Sequence, residues 1–445
     1  MADGRGVPAV VIIGAGFAGL EAAKVFDGVD VLVTIVDRNN YHKFQPLLYE
    51  VAMAGLEADD IAHNVRDIFR KQRNVRFRMG EVVAVRREEK AVVLSDGTML
   101  PYDYLIVCAG AVTNFFNVPG AEEHAFPLKN ISDAIRLRNH VLKQFERYDQ
   151  DSEEVGEGAL TFVLVGGGPT GVEMSGALVE LFATLEDDFP DLAITDLAQV
   201  VLVEMQDSLL PPYHEELRAY TRKTLERRGV DVRTGTAVAH VEPTAVELQC
   251  GDRIATQTLI WAAGVRAHPL ADTLRAEQTP DGRLVVDSML SLSSDPYVFA
   301  VGDIAASSDS EGNEHPGVAQ VAIQQGRHAA KQILSDLAGS EREPFEYRDY
   351  GQMATIGRNA AVGEFPGGIK IRGFTAWFIW VFIHIAKIVG FRNRASAFVN
   401  WAYNYFTYQR SARLILELPV GEQVIRDAFE GHSGDGATSE PVHQA

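Results

Sequence analysis

Two acidic residues stand in the same relation to two glycine-rich turns. Asp37 closes the apolar run 31–36, 18 residues after the last glycine of Gly14-Ala15-Gly16-Phe17-Ala18-Gly19. Glu204 closes the run 200–203, 33 residues after the last glycine of Gly166-Gly167-Gly168-Pro169-Thr170-Gly171. Each turn follows a strand-like run, 10–13 or 162–165, and opens a helix-like stretch. Such a turn lets backbone N–H groups approach a pyrophosphate at a helix N-terminus, where unpaired donors and the helix dipole favour an anion. The carboxylate at the end of the next strand accepts from ribose hydroxyls. Glu204 in that place selects NADH and repels the 2′-phosphate of NADPH, and no Arg follows among Met205, Gln206 and Asp207 to reverse the choice. Read blandly, the turns are structural and Glu204 is a surface acid.

The elements around these turns repeat. Gly80 corresponds to Gly235 and Ala109-Gly110 to Ala263-Gly264, so the offsets between the halves are 152, 155 and 154 residues. Two such halves imply an α/β chain of two Rossmann-like, doubly wound units holding two dinucleotides, and hence electron transfer between them. Residues 7–120 read as the first part of an FAD-binding domain, 121–158 as a linker of helical character with an acidic run at 149–157, and 159–283 as the NADH-binding domain. Residues 187–199, inside the long gap before Glu204, read as a loop or helical insertion. Residues 284–339 do not belong to the second repeat and return to complete the first domain. There Gly302-Asp303 ends a strand-like run and suits a carboxylate bound to a polyol such as a flavin's ribityl chain. Residues 340–430 differ in composition, and 431–445, rich in Gly, Ser, Asp and Pro, read as a disordered tail.

Other side chains leave two readings open. Glu173 lies in the first turn of the second helix, where an acid serves the dipole or approaches the nicotinamide. Gln320 and Gln324, spaced i, i+4, share a helix face beside small Ala residues. They are either an ordinary polar face or a pair of neutral amides placed to hydrogen-bond the carbonyl oxygens of a flat ring. Cys108 and Cys250 are far apart and form no CxxC, which argues against a disulfide scaffold, a zinc site and a thiol redox centre.

The net charge of −20 argues against nucleic acid as a partner, and it is unevenly spread. Residues 370–413 hold seven Lys or Arg and no acid, so the remainder carries −27, the difference between −20 and +7. Residues 374–408 hold twelve aromatics, including three of the four Trp. The apolar run 374–391 is slightly short for a span and contains His384 and Lys387. It suits a helix lying in a membrane interface against anionic lipid, or a buried homodimer contact.

The motifs resemble those of the type II, single-chain NADH:quinone oxidoreductases, from residue 10 to about 418. Tyr41-His42-Lys43-Phe44-Gln45-Pro46-Leu47-Leu48-Tyr49-Glu50-Val51-Ala52 is similar to the family's stretch beside the flavin. Ala319 to Gly326 is similar to its AQxAxQxG signature. Phe391-Arg392-Asn393-Arg394, Trp401 and Tyr405-Phe406-Thr407-Tyr408-Gln409-Arg410 resemble its membrane-binding tail. The resemblance implies hydride transfer from NADH to FAD and electron delivery to a membrane quinone without proton pumping, on the cytoplasmic side of the inner membrane as a peripheral protein. It implies catalytic roles for Glu173, Gln320, Gln324 and Lys370. Gly302 and Asp303 would hold FAD and Gln320 would sit by the quinone headgroup. The full set expected to touch cofactors is Gly14, Gly16, Phe17, Ala18, Gly19, Asp37, Arg38, Val82, Ala109, Gly110, Gly302, Asp303, Gln320, Val321, Gly166, Gly168, Thr170, Gly171, Glu173, Glu204 and Gly264. The competing readings are a soluble NADH-dependent reductase serving ferredoxin or rubredoxin, and a flavin-bound NADH sensor of low turnover.

Overall fold

A computed structural model describes residues 6–407 and 412–416. The tail 431–445 and most of the proposed tail motif after residue 407 lie outside the described residues. The first sheet has six strands, in the order Ser291–Leu292, Asp295–Ala300, Tyr104–Val107, Ala9–Ile13, Leu32–Asp37, Val75–Met79. All neighbours are parallel except the edge pair 291–292 with 295–300. These central strands are continuous apolar runs, as parallel strands covered on both faces must be. Asp295–Ala300 lies beside Tyr104–Val107, so the chain returns to its first sheet after crossing the second unit. A three-stranded antiparallel sheet, residues 82–101, covers one side.

The second sheet repeats the pattern: Ala125–Pro127, Thr258–Trp261, Thr161–Val165, Gln199–Glu204, Val230–Thr234, all parallel. Its edge strand Ala125–Pro127 comes from the segment expected to be a linker. Three residues carry no readable period, and only the partner strand defines them. The same segment contains the helix Ile131–Gln150, whose start is fixed by a reciprocal cap between Asn130 and Asp133. The two units are joined by crossing strands, Ala111–Thr113 against Val265–Ala267.

The long gap before Glu204 is only partly a loop. The helix after the second turn, Pro169–Leu185, has 17 residues, whereas Phe17–Val25 has 9. The extra turns support a third layer, the antiparallel sheet Gln352–Gly357, Ala360–Phe365, Ile369–Gly373. Gly176 allows the contact, because a Cβ there would lie 2.2 Å from the Ile356 carbonyl oxygen. Glu180, one turn on, binds Arg228 at 3.0 Å and the Arg358 amide, fixing the turn after the strand.

Two helices end the described chain, Phe374–Lys387 and Phe391–Thr407, with Gly390 at φ 90° between them. The single interfacial helix expected over 374–391 is therefore broken near its end. Among the described residues no helix is long and apolar enough to cross a membrane.

Candidate functional site

The two glycine turns sit at the carboxyl ends of the central strands. Their outer glycines are dictated by packing. A Cβ at Gly19 would meet the Gly14 carbonyl oxygen at 1.9 Å, and one at Gly171 the Gly166 oxygen at 1.8 Å. Each third glycine thus lets its helix close onto its strand. The middle glycines are different. A Cβ at Gly16 or Gly168 would meet nothing within 4 Å, so no protein atom requires glycine there. Both are helix N-caps with no side-chain cap. This is backbone left bare on the open side of a helix N-terminus, and it fits a pyrophosphate in each half.

Each carboxylate holds its own turn. Asp37 accepts from the Ala15 amide at 2.8 Å and from Asn39 at 2.8 Å. Glu204 accepts from the Gly167 amide at 2.5 Å and from Gln206 at 2.7 Å. Glu204 is buried, not a surface acid. Phe17 and Ala18 open the first helix, with Phe17 edge-on to His42. Thr170 is exposed at the start of the second. Arg38 is exposed next to Asp37, and Val82 begins the covering sheet. Ala109-Gly110 and Ala263-Gly264 follow the equivalent strands Tyr104–Val107 and Thr258–Trp261.

Gly302-Asp303 follows the returning strand, and Gly302 is at φ 74°. Its N–H donates to the Gln325 side chain at 2.7 Å, and Gln325 donates to Ser307 Oγ at 2.6 Å. Ser307 Oγ lies 3.0 Å from Nδ1 of His315. A cavity of about 130 Å³ opens beside Gly302 and Asp303 and is lined also by Ala305, Val321 and Ala322. The helix Ala319–Ala338 packs closely on Phe17–Val25, because a Cβ at Gly326 would lie 2.1 Å from the Ala18 carbonyl oxygen, and it reaches the Gly302 loop at Ala322, whose Cβ lies 3.4 Å from where a Cβ at Gly302 would stand. Ala322 and Gly326, spaced i, i+4, thus explain the small residues of the AQxAxQxG segment by packing. Bare glycine backbone, Asp37 and the Gly302-Asp303 cavity together fit a flavin dinucleotide.

The amides of that segment serve another contact. Gln320 donates to the Gly351 carbonyl at 3.1 Å and accepts from the Tyr350 amide at 3.2 Å. Gln324 donates to the Arg348 carbonyl at 2.9 Å and accepts from its amide at 3.0 Å. Each side chain therefore binds backbone on both its oxygen and its nitrogen. The gripped segment leads into Gln352–Gly357, where the Thr355 amide donates to Glu173 at 3.4 Å. Three of the four residues expected to be catalytic hold one eight-residue strap, 348–355, at opposite ends.

Glu173 is buried among Tyr49, Tyr213 and Glu50. Burial raises its carboxyl well above the usual carboxylate range; the Thr355 amide opposes this and the Glu50 charge adds to it. Lys370 is elsewhere: it is exposed on the outer strand Ile369–Gly373, opposite Glu364. Among the described residues no hydrogen bond or ion pair joins it to Glu173, Gln320 or Gln324.

Sequence reasoning missed His42, Lys43, Lys129 and Gln325. His42 donates from Nδ1 to the Ala15 carbonyl at 2.9 Å, and burial pushes its imidazole down to about 4. Lys43 donates to the Lys129 carbonyl, and burial, with Lys129 nearby, lowers its amine to about 8. Lys129, itself lowered by burial, feels the Asp303 charge. The neighbourhood of His42 and Lys43 was readable in the motif 41–52, but Gln325 had no signal beyond adjacency to Gln324.

In the terminal helices the polarity is inverted. Asn393 donates to the Asp59 and Ala62 carbonyls at 2.9 and 2.8 Å, while Ser396 and Asn400 bind the two oxygens of buried Asp60 at 2.6 and 3.0 Å. Phe398, Val399 and Tyr403 face outward, as do Phe374, Phe378 and Phe382 on the preceding helix. Trp377 and Trp380 are buried, and His384 stacks on Trp380 at 4.1 Å, held neutral by burial at about 4. His384 therefore does not interrupt the outward apolar face. Among the described residues, cations of this segment pair with the acidic remainder, Arg372 with Glu216 at 3.0 Å and Arg413 with Asp188 at 2.6 Å.

Comparisons with known proteins follow this layout. The family described as pyridine nucleotide-disulphide oxidoreductase matches residues 8–326, and the NDH2 C-terminal domain matches 350–409. A type II NADH:quinone oxidoreductase, Ndh, of Mycobacterium tuberculosis is 38% identical over 424 residues, covering 92% of this chain and 90% of its own. An internal alternative NAD(P)H-ubiquinone oxidoreductase of Solanum tuberosum mitochondria is 29% identical, covering 88% and 86%. The solved structure of NDH2 from Plasmodium falciparum in complex with NADH superposes with a TM-score of 0.82 at 20% identity, covering 92% of this chain and all of that one, which is a likeness of fold. With two bare glycine turns, a strap between them and a relative matched over nearly its whole length, this chain belongs to the type II NADH:quinone oxidoreductases.

Proposed function

We propose that the chain is a flavin-dependent NADH dehydrogenase that reduces a membrane quinone, with NADH in the second half and FAD in the first. The overall reaction, NADH + H⁺ + quinone → NAD⁺ + quinol, moves two electrons and no pumped protons. Bound FAD would supply the chemistry of accepting hydride and passing on the electron pair. The chain's own residues bind and orient. Gly16 and Gly168 offer bare N–H groups to the pyrophosphates, Asp37 and Glu204 accept from ribose, and Asp303 takes the ribityl side. Glu173, whose carboxyl is shifted toward its protonated form by burial, can hold a proton where the second half meets the strap. Gln320 and Gln324 position that strap, and Lys370 acts at longer range from the exposed sheet.

The observation that favours quinone over a soluble acceptor is the inverted polarity of the terminal helices. Turning Asn393, Ser396 and Asn400 inward while exposing Phe378 at 61% and Phe382 at 69% is unfavourable in water and favourable against lipid. The reading is therefore of a peripheral protein on an anionic bilayer, on the cytoplasmic face of the inner membrane. A homodimer through the same face is the competing occupant.

The test is steady-state NADH oxidation with a short-chain quinone against a ferredoxin-type acceptor, on wild type and on Phe378→Asp/Phe382→Asp. Removing the whole tail is unsuitable, because Trp377 and Trp380 are core residues. Wild type should prefer quinone and sediment with anionic liposomes. The double variant should stay bright with flavin and remain in the supernatant. Faster turnover with ferredoxin would overturn the reading. A variant that leaves the liposomes unaffected but halves the molecular mass would assign the face to a second copy.

A further inference from the structure

The equivalent glycines Gly110 and Gly264 follow the strands Tyr104–Val107 and Thr258–Trp261 in similar left-handed conformations, φ 73° and 64°. Their surroundings differ. A Cβ at Gly110 would meet nothing within 4 Å, whereas one at Gly264 would lie 2.2 Å from Cζ and 2.4 Å from Cε2 of Phe116. An aromatic ring from the first unit therefore lies on the second half where the first half has open space.

The ring is held there by a built contact. The Asn114 amide donates to the Gly264 carbonyl at 3.3 Å. The Trp261 indole donates to the Asn114 carbonyl at 2.9 Å, and the Phe116 amide donates to Asn114 Oδ1 at 2.9 Å. Phe116 and Asn117 are both left-handed, φ 52° and 54°, which is costly for a Phe. The ring nonetheless remains 57% exposed, so burial does not repay the strain. Strain that outlasts any packing benefit is concentrated at working sites.

The location defines the work. Thr161–Val165 lies between Gln199–Glu204 and Thr258–Trp261, so the crevice of this sheet opens at the carboxyl ends of those strands. Glu204 occupies one side and takes the adenosine ribose. A dinucleotide crossing the Gly166–Gly168 turn must lay its other half on the side of Gly264. We infer that Phe116 is an aromatic gate on that seat: its ring and the nicotinamide of NADH compete for the face of Gly264, and binding requires the ring to turn outward through its exposed side. The inference rests on the second half being the NADH half.

The test measures NAD⁺ affinity by calorimetry on the full-length, FAD-loaded protein, where no turnover occurs, together with flavin reduction by NADH in stopped flow. If the ring must leave before binding, Phe116→Ala should tighten NAD⁺ by roughly threefold or more, because the fraction of binding-competent protein rises. It should speed flavin reduction at low NADH by the same factor, and Phe116→Trp should act in the opposite direction. Reoxidation of the reduced enzyme by a short-chain quinone should not change. Phe116→Leu, which keeps an apolar side chain of smaller reach, provides the same sign if the Ala variant loses FAD. Weaker NAD⁺ binding in Phe116→Ala would make the ring a stacking platform and overturn the gate, as would no change. Glu204→Ala separates the levels: if it binds NAD⁺ as wild type does, the placement of NADH itself fails, whatever Phe116 does.

Discussion

The two halves solve one problem with different parts. In the first turn, position two is Ala15 and its amide is held by the shorter acid, Asp37. In the second turn, position two is Gly167 and its amide is held by the longer acid, Glu204. The added methylene of Glu204 occupies the space of the missing Cβ: a Cβ at Gly167 would lie 3.0 Å from both Cβ and Cγ of Glu204. The carbonyls of the same two residues differ as well. That of Ala15 accepts from the His42 imidazole at 2.9 Å, that of Gly167 from the Leu210 backbone amide at 2.8 Å. Leu210 reaches it in a left-handed conformation, φ 49°. At this carbonyl the first half therefore carries a titratable imidazole and the second a backbone amide. Similar sequence signatures conceal different sensitivities.

The most severe break in the comparison comes at the packing glycines. Gly19→Ala forces a Cβ into the Gly14 oxygen and Gly171→Ala into the Gly166 oxygen. Overpacking of this kind costs about 1–3 kcal/mol or more and must displace the turn. Gly19→Ala should emerge from gel filtration without flavin absorbance. Gly171→Ala should keep its flavin, yet NADH should no longer bleach it while dithionite still does. Loss of flavin from both would mean that the halves do not hold separate dinucleotides.

The repeat of two halves was legible because glycine spacing and apolar runs are local signals. The doubly wound fold and the family were readable for the same reason. What was not legible depends on contacts distant in sequence. The strand Ala125–Pro127 exists only because Thr258–Trp261 lies beside it. Gln320 and Gln324 share a face as their spacing requires, but only the fold shows that the face is covered by 348–351. Gln325 was invisible because burial decides its role, and one position along a helix changes the face by about 100°. The charge asymmetry of 370–413 was read as attraction to lipid. Part of it is attraction to the protein's own acids, Glu216 and Asp188.

The next break is pH. The His42 imidazole titrates at about 4 in the folded chain and at its ordinary 6.5 when exposed. Between these values the unfolded chain binds the extra proton, so stability is intact above about 6.5 and is lost as pH falls toward about 4. At about 1.4 kcal/mol per unit this amounts to as much as ~3 kcal/mol from His42, and His384 acts in the same direction. In the second turn the equivalent carbonyl, that of Gly167, is held by the Leu210 backbone amide, which does not titrate. Urea unfolding at pH 7 and pH 5 should show the loss in wild type, and His42→Asn, which keeps a donor near the Ala15 carbonyl, should flatten it. An equal slope in both proteins would remove His42 from the account.

The smallest and sharpest test exchanges the paired parts. Gly167→Ala places a Cβ 2.6 Å from the Leu209 side chain as well as against Glu204, so Glu204 must shift from the ribose position. The preference for NADH over NADPH in kcat/KM should fall by roughly tenfold, equivalent to about 1.4 kcal/mol. Glu204→Asp alone leaves a gap over Gly167 and a retracted carboxylate, and should lower the preference too. The double variant recreates the Ala15–Asp37 pair of the other half, with the amide again within reach of the acid. Its preference should recover above that of either single change, a coupling of the kind expected for residues in direct contact. The two effects would simply add if Glu204 selected NADH by charge alone, at any distance from the turn. Additivity in this cycle would therefore show that the carboxylate's hold on the Gly167 amide has no part in choosing the dinucleotide.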